Sequence, residues 1–116
     1  MKYILLIYAE EAAWTRLAPE QQKQAVAAYG AYTEALNAAG VRVASDRLRP
    51  IATATSVRVV NGETKVLDGP YAESKEQLGG FYMIDVPDLD TALSWAARCP
   101  AAEYGTMEVR PIWEMY

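Results

Sequence analysis

The 116-residue chain has no histidine, one cysteine and one phenylalanine. Without an imidazole it lacks the side chain most often used as a general base near neutral pH and as a metal ligand. Cys99 has no second cysteine for an intramolecular disulfide, which fits a reducing cytoplasm. With no histidine to activate its thiol, it reads as a small buried residue, and a nucleophilic role is the minor reading. The acidic residues show no calcium-loop spacing, so no metal and no cofactor is expected.

Basic residues are also scarce. The 11 Lys and Arg side chains are outnumbered by 15 Asp and Glu, leaving a net charge of -4. No basic cluster offsets that balance, which argues against nucleic acid, whose phosphates must be neutralised. Long apolar runs are missing as well. Tyr3 to Tyr8 is too short to span a bilayer, and the acidic pair Glu10 and Glu11 follows it at once, so it reads as a buried strand and neither a membrane span nor a signal segment.

What is present is a globular composition, 52% apolar and 22% charged, in a chain of the right size for one domain over residues 1–116. The β-branched and aromatic run Tyr3 to Tyr8 has no polar alternation, as expected of a central strand covered on both faces. Ala9 to Ala18 reads as a connection, with the character of a lid. Pro19 and Glu20 then suit the first turn of a helix. Val26, Tyr29, Thr33 and Leu36 recur at helical spacing beside a stripe of mostly small residues, and Gly40 suits the left-handed position that ends helices.

Alternation from Val41 marks a second strand, which Arg49-Pro50 interrupts. Thr55 to Val60 and Glu63 to Asp68 flank Asn61-Gly62, the pair best able to adopt a type I′ hairpin turn. In that register Val60 opposes Glu63, Val57 opposes Val66 and Thr55 opposes Asp68. Val57, Val59, Thr64 and Val66 then share a face expected to cover the core, and Asp68 is expected to point inward. Arg58 and Lys65 oppose each other on the far side, which calls for solvent or an acidic neighbour.

Phe81 to Val86 reads as another buried strand, stopped by Pro87. Asp88 suits a helix cap, Leu89, Leu93, Ala96 and Ala97 the inner face of that helix, and Cys99-Pro100 its end. A last strand follows Gly105, and the tail from Ile112 to Tyr116 is apolar apart from Glu114. The order is an α+β, ferredoxin-like βαββαβ sandwich with an inserted β-hairpin. In so small a chain, one bare sheet face and the apolar tail call for a second subunit, so a homodimer is expected.

The chemistry-bearing residues gather in Asp68 to Phe81. Asp68 is a candidate carboxylate for acid–base work, with Lys75, Tyr8 or Tyr82 to complete it. Its competing reading is a turn residue whose side chain accepts backbone N–H groups. Lys75 and Glu76 read either as site residues or as a surface pair. Gly79-Gly80 lacks dinucleotide-loop spacing and suits a bulge or a close backbone approach. Tyr8, Tyr82 and Phe81 fit core or interface positions, while a tyrosine hydroxyl at a cleft can also orient a ligand. Arg47 and Arg49 are placed either to attract an anion or to form ion pairs.

The chain resembles the YCII-related proteins, and among them the DGPF-domain group. The match is carried by Asp68-Gly69-Pro70-Tyr71, where Tyr71 replaces the group's Phe, and by the opening strand, the Asn61-Gly62 hairpin, Glu73 to Phe81 and Trp95 to Pro100. That resemblance implies a dimeric α/β barrel of ferredoxin-like subunits, distantly similar to muconolactone isomerases and related dechlorinating enzymes. It also implies a His–Asp pair in catalytic members, and here the histidine is missing. The expectation is a small organic or anionic molecule bound near the Asp68 turn, with catalytic Asp68 and Lys75 and binding residues Tyr8, Arg47, Glu76 and Tyr82. Its chemical version is metal-free lyase-like or isomerase-like proton transfer. The alternative is a non-catalytic homodimeric module for regulation or protein interaction.

Overall fold

The computed structural model describes residues 1–114. Strand β1 (Lys2–Ala9) leads through a short helix α1 (Glu11–Thr15) to the long helix α2 (Pro19–Ala38) and then β2 (Arg42–Arg47). A single 3-10 turn, Ile51–Thr53, precedes the hairpin β3 (Thr55–Val60) and β4 (Glu63–Asp68). Strand β5 (Gln77–Asp85), helix α3 (Leu89–Arg98), the short α4 (Ala101–Tyr104) and β6 (Thr106–Pro111) complete the fold. Met115 and Tyr116 of the expected apolar tail lie outside the described residues.

Four strands form one antiparallel sheet in the order β2-β5-β1-β6, the ferredoxin-like arrangement, with the hairpin as a separate two-stranded sheet. Side chains alternate across a strand, so β1 presents Tyr3, Leu5 and Ile7 to one face and Ile4, Leu6 and Tyr8 to the other. The first set joins Tyr82 and Ile84 of β5, Tyr32 and Leu36 of α2, and Ala92 and Ala96 of α3 in a single core. Leu5, Leu36 and Ile84 are fully buried there. Truncating any of them to Ala would cost about 2–5 kcal/mol.

The opposite face carries Ile4, Leu6, Phe81 and Met83, which pair across β1 and β5 and remain partly exposed. No helix among the described residues covers it. The molecule is accordingly only 19 Å thick, one helix layer on one sheet, and 48 by 45 Å across. Within the single chain the sheet is open, with β2 and β6 as its edges. No helix among the described residues is long and apolar enough to cross a membrane.

The turn chemistry follows the residues closely. Asn61 (φ 51°) and Gly62 (φ 80°) hold the tight turn, Gly40 (φ 71°) ends α2, and Asp88 caps α3 by accepting the Thr91 N–H at 2.9 Å. The hairpin register pairs Val60 with Glu63, Val57 with Val66 and Thr55 with Asp68.

Three expectations need correction. The hairpin does not cover the core: Val57, Val59 and Val66 are about two-thirds exposed, and Asp68 is exposed rather than inward-pointing. Its strands bond only to each other, because the 3-10 turn on one side and Gly69 (φ 114°) on the other carry the chain out of the main sheet. On α3, Ala96 faces the sheet as expected, but Leu89, Leu93 and Ala97 are exposed, and Ala92, Trp95 and Cys99 take the inner places. Small residues let that helix sit close, and Trp95 fills the space beside Tyr32. On α2, Val26 is exposed and Tyr32, from the neighbouring stripe, takes the buried place.

Candidate ligand-binding cleft

Three segments converge where β1 ends and β5 begins. They enclose an open cleft of about 480 Å³, within the usual range for small-molecule sites. Leu48 to Ile51, Thr53 and Ala54 form one wall; Pro70 to Ala72 and Ser74 form the other. Tyr8, Gln77 and Leu78 make the floor. Most of this lining is apolar, and Arg49 is the one charged residue among the described residues that contribute.

The floor depends on a β-bulge. Ile7 pairs with Gly80 and Tyr8 with Leu78, so Gly79 is an extra residue on β5. That extra residue brings Leu78 to the same sheet face as Tyr8, Leu6 and Phe81, where it can line the cleft. Gly80 meets a different constraint. A Cβ added there would lie 2.8 Å from the Asp46 carbonyl oxygen, so only glycine lets β2 approach β5 this closely. The double glycine therefore shapes backbone, as a bulge at Gly79 and a close approach at Gly80.

Polar side chains clamp the walls from behind. The Glu11 carboxylate accepts the Ile51 N–H, at 2.9 Å from Oε2 and 3.3 Å from Oε1, fixing the 3-10 turn to α1. Gln77 Oε1 accepts the Glu11 N–H at 2.9 Å, and its Nε2 donates to the Ser74 carbonyl at 2.8 Å. One glutamine thus ties the floor to α1 and to the second wall. Glu76 Oε1 accepts from the Thr106 hydroxyl at 2.7 Å, which holds the same loop against the start of β6.

Of the expected site residues, Tyr8 lines the cleft. Asp68, Arg47, Lys75, Glu76 and Tyr82 are not among its lining residues. Asp68 and Lys75 are exposed, and among the described residues neither side chain has a hydrogen-bond or ion-pair partner. The Arg47 guanidinium lies over the Trp14 ring, 4.9 Å from its centre, and so braces α1 against the end of β2. Tyr82 is 6% exposed on the helix-covered face, where its hydroxyl pairs with that of Thr33 at 2.8 Å.

That covered face holds a second group of ionisable residues, and their partners mark them as structural. Tyr32 packs edge-on against Tyr82, with ring centres 5.0 Å apart, and donates its hydroxyl to the Trp95 carbonyl at 2.7 Å. The Tyr29 and Tyr104 hydroxyls share a hydrogen bond of 2.5 Å. Burial is the main cause that raises the Tyr29, Tyr32 and Tyr82 phenols above their ordinary value, and the Thr33 bond partly opposes it at Tyr82. Burial likewise pushes the Cys99 thiol up, the opposite of what an activated nucleophile requires.

Arg49 is the charged group of the lining, and Gln77 and Glu11 are the polar pair that braces it. Arg49 is visible in the sequence beside Pro50. Gln77 and Glu11 meet across 66 residues of chain, and only the β1–β5 pairing brings them together.

The comparisons agree with this architecture. The family model for the YCII-related domain matches residues 1–116. An uncharacterized protein of Rhizobium meliloti (strain 1021) is 38% identical over 114 residues, spanning 97% of this chain and 92% of that protein. A 5-chloro-2-hydroxyhydroquinone dehydrochlorinase from Burkholderia phenoliruptrix, solved in complex with 2,5-dihydroxybenzoquinone, shares the fold. The TM-score is 0.56 at 14% identity, over 98% of this chain and 94% of that one.

Proposed function

This chain belongs to the YCII-related family, and from that premise we propose that it binds a small organic anion in the Tyr8–Arg49–Tyr71 cleft. The observation that carries the reading is an apolar cleft of about 480 Å³ whose lining holds a single charge, the Arg49 guanidinium. Such a site favours a compact ligand with an apolar or aromatic body and one anionic group. The body packs against Leu48, Ile51, Pro70 and Leu78, and the anion meets the guanidinium's planar fork of donors. The dehydrochlorinase with this fold holds a small oxygenated ring, which makes ligands of that size a sensible starting set.

Turnover by proton transfer is the finer reading, in keeping with the lyase-like activity in that neighbour's name. Tyr8 supplies a phenol hydroxyl at the floor of the cleft, beside the hydroxyls of Thr53, Tyr71 and Ser74 in its walls, and Asp68 and Lys75 flank the second wall from outside it. Their exposure favours the non-catalytic alternative, a regulatory module that binds the same ligand without converting it. A homodimer is part of both readings, because the partly exposed Ile4, Leu6, Phe81 and Met83 face is supported best by a second copy covering it. The reducing cytoplasm remains the expected setting for the lone Cys99 thiol.

The test is a titration of isotope-labelled protein with benzoate and 2,5-dihydroxybenzoquinone as probes, followed by amide resonances. Saturable shifts confined to Tyr8, Ile51, Tyr71 and Leu78 are expected, with Arg49→Ala weakening binding about tenfold. A stronger effect is excluded by the exposure of Arg49, which leaves its charge partly screened. Saturable binding that is indifferent to Arg49→Ala, or shifts clustered on another face, would sink the proposal. Conversion of a probe, lost in Tyr8→Phe, would separate an enzyme from a binding module.

A further inference from the structure

We propose that the β3–β4 hairpin is a docking arm for a second copy of this chain, and that its docking sets the walls of the cleft. The dimer side of this rests on the reading that a second copy covers the bare sheet face. The arm makes no sheet with the body, and its two strands are closed at the root by the Gly69 N–H, which donates to the Ala54 carbonyl at 2.8 Å. Beyond that root nearly every residue is exposed. A solitary two-stranded hairpin is marginal in water, so an arm built this way needs a surface to pack on.

The two sides of the arm differ sharply in chemistry. Val57, Val59, Thr64 and Val66 share one side, whose only charge is Asp68 at the root, while Arg58, Glu63 and Lys65 share the other with Val60 and Leu67. Val57 is 61% exposed and Val59 67%, more than any aliphatic residue of the bare sheet face. The arm also expands the molecule: the radius of gyration is 16.2 Å, against about 13 Å for a compact domain of this length.

A second copy is the occupant for two reasons. A two-fold interface brings each patch against the same chain's surface, so it must be self-compatible, and the valine side, which carries no charge beyond Asp68 at its root, is. The charged side is not, because Arg58 and Lys65 already stand opposite each other. In addition, a stable interface takes about 800 Å² from each partner. The Ile4, Leu6, Phe81 and Met83 side chains are only partly exposed, and the strongly exposed Val57, Val59 and Val66 add apolar area to what they offer a second copy.

The link to the cleft is covalent. Thr53 and Ala54 lead directly into β3, and β4 leads directly out to Pro70 and Tyr71, so each strand of the arm ends in one cleft wall. Seating the arm on a second copy fixes both strand ends and with them the spacing of the walls. An unseated arm leaves that spacing to the Gly69–Ala54 bond and to the Glu11 and Gln77 clamps.

The variant Val57→Thr, Val59→Thr, Val66→Thr keeps strand-forming side chains of nearly the same shape and removes only the apolar character. Circular dichroism verifies that the body stays folded, since none of the three touches the core. Sedimentation equilibrium should show the dimer dissociation constant rising at least 30-fold, and the Ile51 and Tyr71 amide resonances of the variant should match those of diluted, monomeric wild type. Dimer affinity within threefold of wild type, while Leu6→Glu on the sheet face separates the subunits, overturns the arm and leaves the sheet-face reading standing. A wild type that stays monomeric at about 100 µM, some hundredfold above a micromolar constant, overturns both.

Discussion

Removing the Glu11 carboxylate should loosen the cleft at one defined place. Both of its oxygens approach the Ile51 N–H, at 2.9 and 3.3 Å, which makes this a charge-assisted bond to a backbone donor. Bonds of that type contribute about 1.5–3 kcal/mol when well shielded. Here Glu11 and Ile51 are only half-buried, and water can reach the N–H once the carboxylate is gone. A loss at or just below the bottom of that range, about 1–1.5 kcal/mol, is therefore expected in Glu11→Ala. At about 1.4 kcal/mol per factor of ten, Ile51 amide exchange should speed up by roughly tenfold. The urea midpoint should fall by about 0.5 M for a slope near 2 kcal/mol per M. Glu11→Gln keeps an acceptor oxygen without the charge and should lose about half as much. Probe binding in the cleft should weaken alongside. Exchange at Ile51 within twofold of wild type in Glu11→Ala would refute the idea that this bond holds the wall.

Three other outcomes follow from the packing. Gly80→Ala places a methyl group 2.8 Å from the Asp46 carbonyl oxygen and should destabilise by about 1–3 kcal/mol in urea titration, because both neighbours are backbone and must shift together. The Tyr29, Tyr32 and Tyr82 phenols are raised above 10.0 by burial, so their contribution is complete below pH 10.0 and is lost as the pH climbs toward their folded values, when only the unfolded chain ionises. Melting temperature should be insensitive to these groups up to about pH 9 and fall beyond pH 10, with phenolate absorbance lagging until the chain unfolds. Cys99, 1% exposed and raised in pKa by burial, should react with an aromatic disulfide reagent only at the rate of unfolding; rapid reaction in native buffer would contradict the buried assignment.

Local features were legible in the residues. Asn61-Gly62 fixed the hairpin turn and its register, Gly40 the end of α2 and Asp88 the cap of α3, since each is decided by neighbours a few positions away. The destination of the hairpin was not. The same Val57-Val59-Val66 side that suits a core suits an interface equally well, and alternation alone does not distinguish them. The inner face of α3 was misjudged for a similar reason: Leu89 and Leu93 are the more apolar pair, yet Ala92 and Ala96 allow the closer approach to the sheet. The cleft required three segments to meet. Tyr8 and Arg49 could be singled out beforehand, whereas Gln77 bonding to Glu11 is a product of the β1–β5 register.

The single extra residue at Gly79 makes β5 behave like a screw with one thread offset. From Gly80 onward the strand is in phase with the core; before Gly79 it is half a period out, and that half period is what presents Leu78 to the cleft. Deleting Gly79 would straighten β5 and remove the local kink, yet leave Leu78 opposite Tyr8 and Gln77 opposite Ala9, so the faces would be kept. Pairing Gly79 itself with Tyr8 is the change that would turn Leu78 toward the helices and break the Gln77 clamp to Glu11 and Ser74, with no change in any side chain's identity. Register at this point is therefore as much a part of the cleft as composition.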